Sequence, residues 1–504
     1  MRPWQRGILA FGTGALGGLL VAAAGLTVAP VFALAVSFGL AVAAIIFLYP
    51  VVGLYLTAAV IPMERFGRFT DDASEFTISI MRILGVLVLG AMLFHLLTRR
   101  SRVNFDPSFT LYGIYWGFIV LGIFFSTDRV SAVQFAGSFL GNLMYFFVLI
   151  NLAKSWSVVK KCTAIWLAAT VVVGLYTMYD WHFGSSFTES SLGVTTTRFS
   201  TVLSDTSEST ELGMVRRAVG STSNPAVYGI DLAMTLPFFA FFFRASSRPI
   251  GKVLSAAGAI VVLYNMFLAN TRAVFLLAFI IGVIALWKGL ARISIGGVVT
   301  LLIAGVGILP LLPHAVYERI LDPSNYSLEH SGTLRIRLQY WKAGLEVAAE
   351  HWLMGTGAGN RHVIPEKVRS IVEIPAAKHT AHNEFITSFI EVGVIGWSFF
   401  MAFIVVTIRY TFKAAATFRA YLETQEQYWY LVACQICLFS VLIFGLQVDV
   451  LHFPLKGWWL VVGLTCIMHS LASGIRWWRP AEERGRVTGD SGVAGAAGGA
   501  PVHP

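Results

Sequence analysis

The chain reads as an all-α polytopic membrane protein, with about 12–14 transmembrane helices and a large outer loop that contains interfacial helices. Composition is the first reason: 56% of the 504 residues are hydrophobic and only 13% are charged. Hydropathy is the second, with a mean of +0.71. The third is length, because apolar runs of about twenty residues, the span a bilayer core demands of a helix, recur along most of the chain.

The first run, Ile8 to Leu26, follows Arg2 and Arg6 as the core of a signal peptide would, but it is long and another run follows at once. It reads as a retained span. Further candidates lie near 30–49, 51–62, 78–97, 109–126, 131–152, 162–180, 225–243, 253–269, 273–287, 294–312, 384–408, 428–447 and 456–473. The 51–62 run is short enough to be re-entrant. With the N-terminus inside, the cytoplasmic connections are the basic ones: Arg99 to Arg102, Lys154 to Lys161, Arg244 to Lys252, Lys288 to Arg292, Arg409 to Arg419 and Arg476 to Arg486. The short outer loops carry Arg65, Arg68, Arg129, Arg272 and Lys456. That assignment requires 51–62 to cross.

Charge and cysteine content exclude several classes. The formal net charge of +10 is scattered between spans rather than gathered in a soluble domain, so it reports topology and not nucleic-acid binding. Cys162, Cys434, Cys437 and Cys466 all lie in or beside apolar runs, where no disulfide framework is expected. Cys434 and Cys437 form a C-x-x-C without a second ligand pair, which reads as packing inside a helix.

Two outer connections are long, 181–224 and 314–383, and they are the natural home of chemistry. The second holds an amphipathic stretch, Arg335 to Trp352, with Leu338, Trp341 and Leu345 at helical spacing, which predicts a helix lying at the interface. Gly355-Thr356-Gly357-Ala358-Gly359-Asn360 follows. Without a preceding strand such a run is a plain loop before it is a backbone anion nest. Residues 1–474 read as one transmembrane domain and 475–504, Gly- and Ala-rich beyond Glu482, as a disordered cytoplasmic tail.

The stretch His379 to Gly396 places His382 and Asn383 at the mouth of an apolar span, directly after the long basic loop. An ionisable group there is a candidate catalytic residue, because hydrocarbon penalises polar groups without partners. The bland alternative is that His382 caps the helix or anchors it among headgroups. Arg272, between two apolar runs, either faces a cavity or snorkels outward. Arg216 and Arg217 precede the span that begins after Asn224-Pro225, and Arg335 and Arg337 lie on the amphipathic helix. Several cations and one candidate base on one side of a membrane call for an anion, and the planar guanidinium fork suits the oxygens of a lipid diphosphate.

His382-Asn383, nine residues, Gly393, two residues and Gly396 resemble the motif of the O-antigen ligase family, whose broader superfamily also holds O-antigen polymerases and bacterial protein O-oligosaccharyltransferases. The order of the other pieces is similar too: Arg217-x-x-Gly220 with Asn224-Pro225, Arg272 at the start of a later span, Arg337-x-x-x-Trp341, then Gly355-x-Gly357. The detailed resemblance covers residues 210–400.

The resemblance implies a glycosyltransferase of the bacterial inner membrane, acting at the periplasmic face, with 181–224 and 314–383 as periplasmic loops. It moves a glycan from undecaprenyl diphosphate to an acceptor hydroxyl, in ligases a sugar of the lipid A–core oligosaccharide of lipopolysaccharide. His382 would be the base, Arg217 and Arg272 the diphosphate ligands, and Arg216, Arg337, Arg335, Asn383 and Asn224 substrate-binding residues. No cofactor, metal or nucleic acid is expected. Polymerase and protein O-oligosaccharyltransferase remain alternatives with the same donor chemistry. So do a glycosyltransferase using Asp71 and Asp72 with a metal, and a flippase or transporter for lipid-linked glycans.

Overall fold

The computed structural model describes residues 30–63, 79–99, 103–183, 201–204, 215–222, 224–291, 332–359, 367, 381–449 and 455–477. They form thirteen α-helices: α1 (Pro30–Leu48), α2 (Pro50–Val60), α3 (Ile80–Arg99), α4 (Pro107–Gly122), α5 (Arg129–Leu152), α6 (Trp156–Phe183), α7 (Pro225–Ala245), α8 (Pro249–Leu268), α9 (Arg272–Trp287), α10 (Gly332–Glu350), α11 (Glu384–Arg419), α12 (Gln425–Gly445) and α13 (Lys456–Trp477). A two-stranded antiparallel ribbon, β1 (Thr201–Ser204) with β2 (Val215–Ala218), precedes α7. The predicted spans 8–26 and 294–312, Asp71 and Asp72, and the tail from 478 lie outside the described residues.

Eight helical segments among the described residues are long and apolar enough to cross a membrane, and the fold is that of an all-α multi-pass membrane protein. Helix starts follow local chemistry. Asp106 and Asn224 each precede a proline at the first helical position, and their side chains accept the Ser108 and Ala226 amides, both at 2.8 Å. Asp128 starts α5 in the same way, taking the Ser131 amide and hydroxyl.

The predicted spans 30–49 and 51–62 are one broken rod rather than two crossings. Tyr49 is the one non-helical residue between α1 and α2, and a single residue cannot reverse a chain. Both halves lie along α3: the Phe47 carbonyl meets His95 Nε2 at 2.7 Å, and Gly53 sits against Val88. Pro50, which lacks an amide hydrogen, causes the break. With 51–62 part of one rod, the alternation of inner and outer connections counted from the N-terminus, which requires 51–62 to cross alone, is not met.

Helix direction still sorts the charges. Lys154 to Lys161, Arg244 to Lys252, Lys288 and Arg419 gather at one end, where Trp156 Nε1 and Lys160 both reach Glu426 and Arg244 donates to the Gly289 carbonyl at 2.8 Å. The ends of α8 and α12 and the starts of α9 and α11 meet at the opposite end. Between them α11 packs on α4, α12 and α13 around a buried aromatic core, with Trp459 4.3 Å from Tyr112 and 5.7 Å from Phe403, ring centre to ring centre.

Candidate active site

At the end of the bundle away from the lysine-rich connections, two corners carry the residues singled out from sequence. The first is the turn from α8 to α9. Arg217, opposite Val202 in the ribbon, donates from Nε to the Ala269 carbonyl at 3.2 Å and from Nη2 to Thr271 Oγ1 at 2.7 Å. Thr271 precedes Arg272, the first residue of α9. Two guanidinium groups therefore belong to one corner, at a helix N-terminus whose free amides and dipole favour negative charge. Arg216 sits in β2 opposite Leu203, and Arg335 lies within α10. Asn224 accepts the Ala226 amide and starts α7.

The second corner is the start of α11. Asn383 caps this helix: its Oδ1 accepts the Phe385 and Ile386 amides at 3.0 and 3.2 Å, and its Nδ2 donates to the Leu446 carbonyl at 3.0 Å. The cap is thus Asn383 and not His382. His382 sits just outside it, half-buried, with its ring edge-on to Tyr340 of α10 at 6.3 Å between centres. Burial pushes the Tyr340 hydroxyl above its ordinary range, so the ring beside His382 stays uncharged. Arg337 Nη1 donates to Gln447 Oε1 at 3.4 Å, and Thr387 Oγ1 donates to Asp449 Oδ1 at 2.8 Å.

Backbone strain marks both corners. Among the described residues only Asn270 (φ 45°) and His382 (φ 49°) are non-glycine residues with left-handed backbone. Each immediately precedes the N-cap of a helix, Thr271 of α9 and Asn383 of α11. Such strain costs about 1–3 kcal/mol per residue and persists where the surroundings over-determine it. It turns the chain sharply, so that Arg272 and His382 stand at the entrances of their helices.

The Gly355–Gly359 run is neither an open loop nor a nest. Helix α11 is broken at Gly393 (φ 63°, ψ −175°), which leaves carbonyls of the preceding turn without helical partners. The glycine run fills them: Thr356 N donates to the Ile390 carbonyl at 2.8 Å and Gly357 N to the Glu391 carbonyl at 3.0 Å. Gly359 N donates to Glu391 Oε1 at 3.1 Å, and Val394 N returns a bond to the Trp352 carbonyl at 2.7 Å. The amides that would have made an anion nest are thereby used within the protein.

The two corners are joined through α12, which packs against both α9 and α11. Residues 257–401, from within α8 to the middle of α11, match the family model described as O-antigen ligase. That segment is similar to the O-antigen ligase family. That segment contains Arg272, Arg337, the glycine clasp, His382, Asn383 and Gly393. The match supports a glycosyltransferase of the ligase and polymerase type, acting on lipid-linked glycans and glycan acceptors in general. No curated protein matches the chain.

Within the matched segment and beside it, Glu391, Tyr340, Gln447 and Asp449 are candidate-site residues not singled out from sequence. Glu391 and Asp449 had a visible signal, since each is an acidic residue in or beside an apolar run. Tyr340 and Gln447 had none. Among the described residues no three His, Cys, Asp or Glu side chains converge as metal ligands would.

Proposed function

We propose that the protein transfers a glycan from undecaprenyl diphosphate to an acceptor hydroxyl at the periplasmic face of the inner membrane, most specifically an O-antigen glycan to lipid A–core. The observation that carries the reading is the pairing of Arg217 with Thr271, which brings a second guanidinium beside Arg272 at the N-terminus of α9. Two arginine forks and a helix dipole are what a departing diphosphate needs. The concentration of lysine and arginine at the other end of the bundle supports a periplasmic site without reference to the N-terminal span count.

In this mechanism the acceptor oxygen attacks the anomeric carbon from the face opposite the diphosphate. The bond from carbon to the diphosphate oxygen breaks, the electron pair leaves on the lipid diphosphate, and configuration inverts. The hydroxyl proton passes to a ring nitrogen of His382, imidazole being the side chain best suited to general-base work near neutral pH. Arg217 and Arg272 stabilise the charge of the leaving group, the work a divalent ion does elsewhere. Arg337, which donates to Gln447, is assigned to substrate binding. Residues 1–474 act as one transmembrane unit.

The test is transfer of a defined undecaprenyl-diphosphate glycan by purified wild-type and His382→Ala protein, with lipid A–core and a second lipid-linked glycan as separate acceptors. Product on lipid A–core that disappears in the variant is expected. Chain extension on the second glycan would make the enzyme a polymerase, and unchanged transfer by His382→Ala would remove the base.

A further inference from the structure

Glu391 is 7% exposed, inside the body of a membrane protein, where a carboxylate survives only with partners. Its Oε1 takes the Gly359 amide and its backbone carbonyl takes that of Gly357, so one residue grips the glycine run at two points. The run is the continuation of α10, and α10 carries Tyr340, whose ring meets His382, and Arg337. The face of α10 that includes Tyr340, Ala343 and Val347 packs against Ala381 and Ile390. Apolar packing of this kind sets distance but leaves sliding along the helix axis cheap. Directional hydrogen bonds fix the register: backbone bonds from Thr356 to Ile390, Gly357 to Glu391 and Val394 to Trp352, and the Glu391 side chain at Gly359.

We propose that Glu391 is a positioning residue for the transfer reaction: by holding the Gly359 amide its side chain completes the backbone clasp that locks α10 against α11, and so presents Tyr340 and Arg337 to His382. This rests on the proposed role of His382. Glu391 itself touches neither glycan nor diphosphate. Its side-chain contribution is the acceptor oxygen at one reach, and an amide oxygen at the same reach performs the same task. A carboxylate one methylene shorter does not.

The experiment compares Glu391→Gln, Glu391→Asp and Glu391→Ala in the full-length protein by two readouts. Amide hydrogen exchange at Thr356, Gly357 and Gly359 reads the clasp without substrate. Steady-state transfer from an undecaprenyl-diphosphate glycan separates kcat from KM. Glu391→Gln is expected to keep both the protection and kcat. Glu391→Asp and Glu391→Ala are expected to lose protection at Gly359 and at least tenfold in kcat, with donor KM moved less than twofold. If Glu391→Ala does not fold, the Asp and Gln pair, both polar and buried alike, decides.

Lost protection with full kcat would overturn the proposal. So would intact protection with lost kcat in Glu391→Gln, which would assign the charge itself to chemistry. A His382→Ala control run in parallel separates the two readings: undiminished transfer there defeats the base assignment, while the exchange readout still reports whether Glu391 holds the clasp.

Discussion

The Asn383 side chain bridges two helices, its Nδ2 donating to the Leu446 carbonyl at 3.0 Å while its Oδ1 accepts two amides at the start of α11. This tie holds the residue that follows His382, so Asn383→Ala should do two things. Loss of the cap should cost about 1 kcal/mol of stability, read as a lower thermal midpoint in detergent. Turnover should fall further than that loss of folded protein accounts for, because His382 is no longer held. A raised donor KM with an unchanged midpoint would instead make Asn383 a direct substrate contact.

Arg272 opens α9 beside the Arg217–Thr271 bond. Arg272→Lys keeps the charge and loses the two-pronged fork. We expect kcat/KM to fall tenfold or more, which is about 1.4 kcal/mol of transition-state stabilisation. Near-wild-type transfer by this variant would show that Arg272 does not hold the diphosphate.

Much of this was legible in the sequence because lipid imposes its demands locally. A span must be continuously apolar, and an ionisable residue at its mouth, such as Arg272 or His382, stands out without any knowledge of neighbours. What was hidden depends on residues far apart in the chain. Glu391 looked like one acid in an apolar run until Gly359, thirty-two positions earlier, donated its amide to it. Asp449 acquired its place from Thr387 and Asn383 from Leu446, both more than sixty positions away. The left-handed backbone at Asn270 and His382 has only a weak local signature: neither is glycine, although Asn and His tolerate it better than most side chains. The 51–62 run misled for the opposite reason: Pro50 is a local break, and only contact with α3 shows that the rod continues through it.

If Arg217 and Arg272 do the work of a divalent cation, transfer should survive EDTA, with kcat within twofold of the untreated enzyme. Restoration of a lost activity by Mn²⁺ or Mg²⁺ would point to Asp71 and Asp72 and to metal-assisted departure of the diphosphate. The assay needs donor glycan free of bound metal, because lipid diphosphates chelate divalent ions themselves.

Gly357 separates space from sequence among the glycines. Its φ is 91°, and a Cβ there would lie 2.5 Å from the Gly122 carbonyl oxygen and 2.9 Å from the Ser126 amide nitrogen, both backbone atoms that cannot rotate away. Gly357→Ala therefore combines a left-handed penalty of about 1–2 kcal/mol with an overpacking cost of about 1–3 kcal/mol. Gly141, in the middle of α5, has nothing within 4 Å of the same ideal Cβ position. Gly141→Ala should leave transfer unchanged and raise stability slightly, by about 0.5–1 kcal/mol for a helix interior. The pair is to be compared by thermal midpoint and by transfer rate. A lower midpoint and lost transfer in Gly357→Ala alone would establish that the run is a packed clasp between α4 and α11. Equal behaviour of the two variants would return it to the plain loop that its composition suggests.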